Sequence, residues 1–326
     1  MKKERNTKID ILRAIAMICI IIAHSKPDSL TFQLRNFDVI MIVILLGASF
    51  QLSMQGKTIH SGQYIIKRFK RLILPTWIFL TVFFSFFYIL SIMTNKEYFT
   101  LPQIIESYKM LGGIGFVWIM KVFFIVALTS PLLLYISNRV KSHILYFTLL
   151  ALAYIIYHIL YLQLDQVPTP FNKYYNLILL EGISYSIVAS IGIRLLLLGS
   201  TSYRVMTIIS IILYATLALY YQFEPIQNFK YPPHLYYISY GMMVTLLMYR
   251  LLDIKPLHDK LNNLFIQFIS KHSLWLYFWH ILTLYILKLI HTPFNTNFFT
   301  RFIFIFGLAL ILTIIHNKIA KKIKHS

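Results

Sequence analysis

Ile9–Ser25 reads IDILRAIAMICIIIAHS, an apolar run of the length needed to cross a membrane, with Asp10, Arg13 and His24 set into it. Similar runs recur along all 326 residues, of which 58% are apolar and 13% charged. A soluble domain of this size needs far more charge to cover its surface, and a singly anchored chain has one such run. The reading is therefore an all-α polytopic membrane protein of about ten helices. The runs fall at 8–25, 37–55, 72–93, 114–136, 143–163, 175–197, 204–222, 234–252, 264–290 and 299–318. No soluble domain is left over, so residues 1–326 read as one transmembrane domain. The segment MKKERNTK before the first run has the charge of a signal peptide. Asp10 and Arg13 break its apolar stretch and no small-residue cleavage site follows His24, so it reads as a retained first helix.

The basic residues set an orientation. With the N-terminus inside, 21 of the 31 Lys and Arg fall on cytoplasmic segments, among them Lys57, Lys67, Arg68, Lys70 and Arg71. Both termini are then cytoplasmic. The net charge of +20 is mostly this topology signal, with membrane lipid as its partner, and nucleic acid is a poor fit. The single cysteine, Cys19, supplies neither a disulfide framework nor a cysteine metal site, and no metal site is expected.

Within the first run, Arg13 and His24 are eleven residues apart and nearly eclipsed on a helix, with Asp10 within about 40° of the same line. Ionisable groups on one intramembrane face line a pathway or a site. The alternative is a structural i,i+3 pair between Asp10 and Arg13, with His24 ending the helix at the outer interface.

These residues carry a resemblance. DILRAIAMICIIIAH, with Arg13 and His24 separated by ten residues, resembles the opening motif of the membrane-bound acyltransferase 3 family. LLGASF (Leu45–Phe50) stands where that family has a small-residue turn, and RFKRLILP (Arg68–Pro75) matches its Arg-x-x-Arg followed by Pro. GFVWIMKVFFIVALTSP (Gly115–Pro131), YPPHLYYISYG (Tyr231–Gly241) and SLWLYFWH (Ser273–His280) are similar to later segments. The likeness covers nearly the whole chain. It implies a multi-pass enzyme of the bacterial cell membrane, of the stand-alone type. Such an enzyme carries no bound cofactor and takes an acyl group, commonly acetyl, from cytoplasmic acyl-CoA to a hydroxyl of a cell-envelope or exported glycan.

The chemistry fits that implication. Acyl transfer to a hydroxyl needs a base, and a histidine titrating near neutrality is the natural one, which makes His24 the catalytic candidate. The CoA phosphates suit the planar guanidinium, and Arg68 and Arg71 share a helical face at i,i+3; by composition alone they equally serve topology. Arg13 stands between them and His24 as a third candidate for acyl-CoA binding. Asp10, Trp118, Lys121, Glu181, Tyr277 and His280 are candidate site-lining groups, with His158 at the same level. For Trp118, Tyr277, His280 and His158 the competing reading is an outer aromatic belt, and for Lys121 a side chain snorkelling outward. Tyr231, Pro232 and Pro233 read as a rigid loop without a catalytic role. A glycan or lipid-linked sugar transporter is the alternative function; it predicts helices interrupted by Gly or Pro in both halves, whereas Pro75 and Pro131 are expected at span ends.

Overall fold

The structure is a computed structural model that describes residues 6–55, 61–289 and 297–325. Lys2, Lys3, Arg5 and Lys57, counted above for topology, lie outside the described residues. Of the described residues 83% are helical and none is in a strand. Hydrocarbon offers no partner to a backbone N–H or C=O, so apolar runs of this length satisfy themselves as helices. Seven described helices, or eight if a pair bent by 102° is one span, are long and apolar enough to cross a membrane. The first helix, α1 (Thr7–His24), falls outside that count because its 18 residues hold Lys8, Asp10 and Arg13. The segment at Ser273–Leu289 falls outside it at 17 residues.

Two compact units divide the chain, Met1–Leu45 with Arg204–Lys230 and His234–Ser326, and Leu46–Tyr203 with Tyr231–Pro233. The helix α3 (Asp38–Met54) supplies residues to both.

In the first unit α1 begins at the N-cap Asn6, whose side chain accepts from Ile9 N–H, and carries Asp10 in its first turn. It packs against α11 (Leu235–Leu251), α13 (Leu264–Lys271), α14 (Ser273–Leu289) and α15 (Phe298–His325). Its apolar residues Ile11, Leu12 and Ile21 are fully buried, as are Phe278 and Ile281 of α14. The run expected as one span at 264–290 is thus two helices, divided at His272, whose backbone leaves the helical region. On α11, Gly241 takes the side chain of Ile40 where a Cβ would stand, so α3 and α11 approach closely there. The bent pair is α11 with α12 (Lys255–Leu261).

The second unit is built on α4 (Ser61–Thr94), α6 (Trp118–Arg139), α7 (His143–Leu162) and α9 (Glu181–Leu195), with α4 and α9 both against α6 and α7 against α9. The expected span at 72–93 is the later part of the 34-residue α4, so Arg68 and Arg71 are helical. The small-residue stretch at Leu45–Phe50 is not a turn: Gly47 lies inside α3, and a Cβ there would overlap the carbonyl oxygen of Ala189 on α9. The expected span at 175–197 begins with a π-helical turn, Tyr175–Leu180, before α9.

Pro75 and Pro131 are inside α4 and α6, not at their ends. A helical proline orphans the carbonyl four residues earlier, and in a membrane that group must find another donor. For Pro131 the orphan is the Ala127 carbonyl, which accepts from the Tyr64 hydroxyl at 2.7 Å. Buried Arg194 performs a similar service at the end of α6, donating to the Ser137 and Lys141 carbonyls at 2.7 Å each and to His143 Nδ1 at 3.0 Å.

Candidate active site

His24 ends α1 and is half-buried. The end of the helix is held from three directions: the Ser25 N–H donates to the Ile22 carbonyl at 3.0 Å, the Ser25 hydroxyl to Ile21 at 2.8 Å, and Arg301 Nε donates to the Ser25 carbonyl at 3.2 Å. Arg301 thereby satisfies one of the carbonyls that a helix end leaves open. The His24 ring stacks on His280 with centroids 5.4 Å apart and planes 25° apart. His280 is fully buried, and the Tyr277 ring meets it edge-on at 4.8 Å. His280 Nδ1 lies against the Tyr277 carbonyl. A carbonyl only accepts, so Nδ1 carries the hydrogen, and in neutral His280 Nε2 is the lone-pair nitrogen. A fixed ring is thus stacked on a half-buried one. His24, Tyr277 and His280 come together within one unit.

Asp10 and Arg13 stand near the other end of α1. Their side chains pair at 3.3 Å, and Ser270 of α13 donates to Asp10 Oδ1 at 2.9 Å while lying 3.5 Å from Arg13 Nη1. The i,i+3 pair is therefore present. Ser270 was not legible in the sequence, since one serine on an apolar helix carries no signal of its own.

In the second unit, the Arg68 guanidinium lies 4.8 Å from the Tyr64 ring centroid and 5.8 Å from that of Phe50, so an aromatic floor orients it. Arg71, one turn on, is exposed. Lys121 does not snorkel: it is buried and pairs with Glu181 at 3.1 Å, joining α6 to α9. Trp118, a turn before Lys121, meets Tyr231 edge-on at 5.0 Å and Tyr185 at 6.3 Å. Trp118, Lys121 and Glu181 thus come together, whereas His158 is exposed and stacks on Tyr154 and Tyr161 of its own helix.

A cavity of about 870 Å³ opens among α6, α7 and α9, lined by apolar groups with Thr129, Tyr146, Ser186 and Ser190. None of the residues singled out in the sequence lines it. Among the described residues no three His, Cys, Asp or Glu side chains gather closely enough to hold a metal ion.

A family model described as an acyltransferase domain matches residues 6–318. Comparison with curated proteins finds no match. With a match over nearly its whole length and several membrane-spanning helices, the chain belongs to the acyltransferase 3 family and is a multi-pass membrane acyltransferase.

Proposed function

We propose that the protein moves an acyl group, in the first instance acetyl, from cytoplasmic acyl-CoA to a hydroxyl of a cell-envelope or exported polysaccharide in a bacterial membrane. The observation that carries this reading is the His24–His280 pair: a half-buried imidazole at the end of α1, stacked on a buried one whose Nδ1 is committed to the Tyr277 carbonyl. A general base works when its lone pair is held in place for the proton it takes. His24 accepts the hydroxyl proton as the acceptor oxygen attacks the thioester carbonyl; the C–O bond forms and the C–S bond breaks. The CoA thiolate leaves and takes up the proton.

Arg68 and Arg71 hold the phosphates of CoA, a role for which a bidentate guanidinium is suited and which the aromatic floor under Arg68 supports. Arg13, kept in place by Asp10 and Ser270, is the third cation of the donor route.

The test uses purified protein in sealed liposomes. Acetyl-CoA is supplied on the side bearing the N-terminus and a polysaccharide acceptor on the other. Acetylated acceptor and free CoA are expected from the native chain. His24→Ala should yield neither while still binding acetyl-CoA. Transfer retained in His24→Ala overturns the base assignment. Movement of the polysaccharide without CoA release overturns the enzymatic reading in favour of transport.

A further inference from the structure

The walls of the cavity in the second unit run along three spanning helices: Ile125 to Ile136 on α6, Tyr146 to Ala153 on α7 and Gly182 to Ser190 on α9. At 1.5 Å per residue the α6 wall is about 16 Å long, so the space of about 870 Å³ is drawn out along the helices. Leu132, Leu149 and Ile178 of the lining are exposed, so the cavity opens sideways through the apolar surface that α6 and α7 turn to the bilayer. Its inner hydroxyls are already used. Thr129 donates to the Ile125 carbonyl at 3.2 Å and accepts from Ser186 at 2.9 Å. Ser190 donates to the Ser186 carbonyl at 3.0 Å, Tyr146 to the Ser190 carbonyl at 3.0 Å and Tyr175 to the Leu160 carbonyl at 2.9 Å. Cations stand at one end. Arg139 lies one turn beyond Ile136 on the same side of α6 and is exposed, and exposed Lys141 follows in the turn to α7. Buried Arg194 holds that turn through the Ser137 and Lys141 carbonyls, with its guanidinium 4.9 Å from the ring centroid of Tyr146, which lines the cavity.

A site for a polar ligand keeps hydrogen-bonding groups open to receive it, whereas those inside this cavity bond to one another or to backbone. Such walls favour hydrocarbon, and the bilayer supplies it at the open side. Methylenes laid along them gain dispersion contacts over the whole length. The cations select the kind of lipid, because basic groups at the membrane edge of a cleft between spanning helices attract phosphate-bearing headgroups. Neither feature alone names an occupant. An apolar cavity continuous with the lipid-facing surface, with Arg139 and Lys141 at its end, does.

We propose that this cavity binds one anionic phospholipid, with an acyl chain lying along α6, α7 and α9 and the phosphate held by Arg139 and Lys141. The lipid enters from the leaflet at the α6–α7 turn. Its chain runs on toward the π-helical turn Tyr175–Leu180, which contributes Tyr175, Ile178 and Leu179 to the lining; turns of this kind are frequent at functional sites. The site is separate from the transfer chemistry and stands whether or not His24 is the base.

The test is native mass spectrometry of the purified full chain in detergent, titrated with palmitoyl-oleoyl phosphatidylglycerol, the matching phosphatidylcholine and dioctanoyl phosphatidylglycerol. One long-chain phosphatidylglycerol should be retained about tenfold or more tightly than the phosphatidylcholine, as expected for a charge-assisted contact. It should also be retained more tightly than the dioctanoyl form, since each further buried methylene is worth about fourfold. Arg139→Gln combined with Lys141→Gln should abolish the headgroup preference. Ala153→Phe, which puts a ring into the cavity, should weaken retention of both long-chain lipids about tenfold or more. A melting curve shows whether that variant folds, and the chain-length comparison needs no variant. Equal retention of the two headgroups, a full preference in the double variant, no effect of chain length, or unchanged retention in folded Ala153→Phe overturns the proposal. So does a stronger retention of palmitoyl-CoA or of a prenyl phosphate that Ala153→Phe removes, which would give the cavity to the donor or to a lipid-linked acceptor.

Discussion

Replacing Glu181 by Gln removes the carboxylate opposite Lys121 and leaves an ammonium enclosed between α6 and α9. The side chains are 8% and 2% exposed and their charged atoms are 3.1 Å apart, an approach that is Coulombic without being a well-aligned hydrogen bond. Breaking a buried pair from one side costs about 3–5 kcal/mol, because the remaining charge keeps its desolvation penalty and loses its compensation. At a few degrees per kcal/mol, that corresponds to a fall in melting temperature of roughly 10 °C. The double variant Lys121→Met with Glu181→Leu removes both charges and should melt close to the native protein. The assay is thermal unfolding in detergent followed by tryptophan fluorescence, for which Trp118, one turn from Lys121, is a local reporter. If Glu181→Gln melts within about 1 °C of the native chain, the pair is not a dry one and the reasoning fails. Acyl transfer by the double variant then decides the role of the pair. Native activity assigns it to packing of α6 on α9, and loss of activity in a stable protein assigns it to the acceptor site.

Arg68→Ala and Arg71→Ala should each weaken acetyl-CoA binding by about 1.5–3 kcal/mol, or roughly 10- to 150-fold, measured by calorimetry; unchanged affinity would make them topology signals only. Tyr64→Phe should destabilise the protein by about 1–3 kcal/mol by leaving the Ala127 carbonyl, freed by Pro131, without its donor, and a neutral result would require another donor to reach that carbonyl. Burial pushes the Lys230 ammonium from its ordinary 10.5 down to about 8, with Asp38 opposing the shift and Arg35 adding to it. Between about pH 8 and 10.5 the unfolded chain then holds more protons than the folded one, so stability should rise with pH across that window by about 3 kcal/mol, and this slope should vanish in Lys230→Gln.

Some of this was open to reading from the amino acids alone, and the division has a physical basis. A bilayer penalises any unsatisfied backbone group, so a run such as Ile9–Ser25 has little choice but a helix, and the helical repeat then puts Asp10, Arg13 and His24 on one side. Family membership was legible for a related reason: the spaced motifs from Arg13 to His280 follow one order along the chain and do not depend on knowing which helix touches which. Charges inside apolar runs announced themselves by their cost, and so Lys121 and Glu181 were noticed as individuals.

Their partners were not. His24 and His280 are brought together by the packing of α1 on α14, and Lys121 and Glu181 by that of α6 on α9. Pro75 and Pro131 read as span ends because local rules count the hydrogen bond that proline removes. Only the tertiary structure shows that Tyr64, on another helix, restores a donor to the Ala127 carbonyl and lets α6 continue. The division of 264–290 at His272 is equally invisible in an apolar run, since hydropathy is blind to a single residue leaving the helical region. Only the tertiary structure shows that Arg35 and Lys230 are buried, because sequence position does not report burial. Local chemistry and the solvent decide which segments become helices; contacts between residues far apart in the chain decide which of their polar groups are enclosed together, and that enclosure is what makes a site.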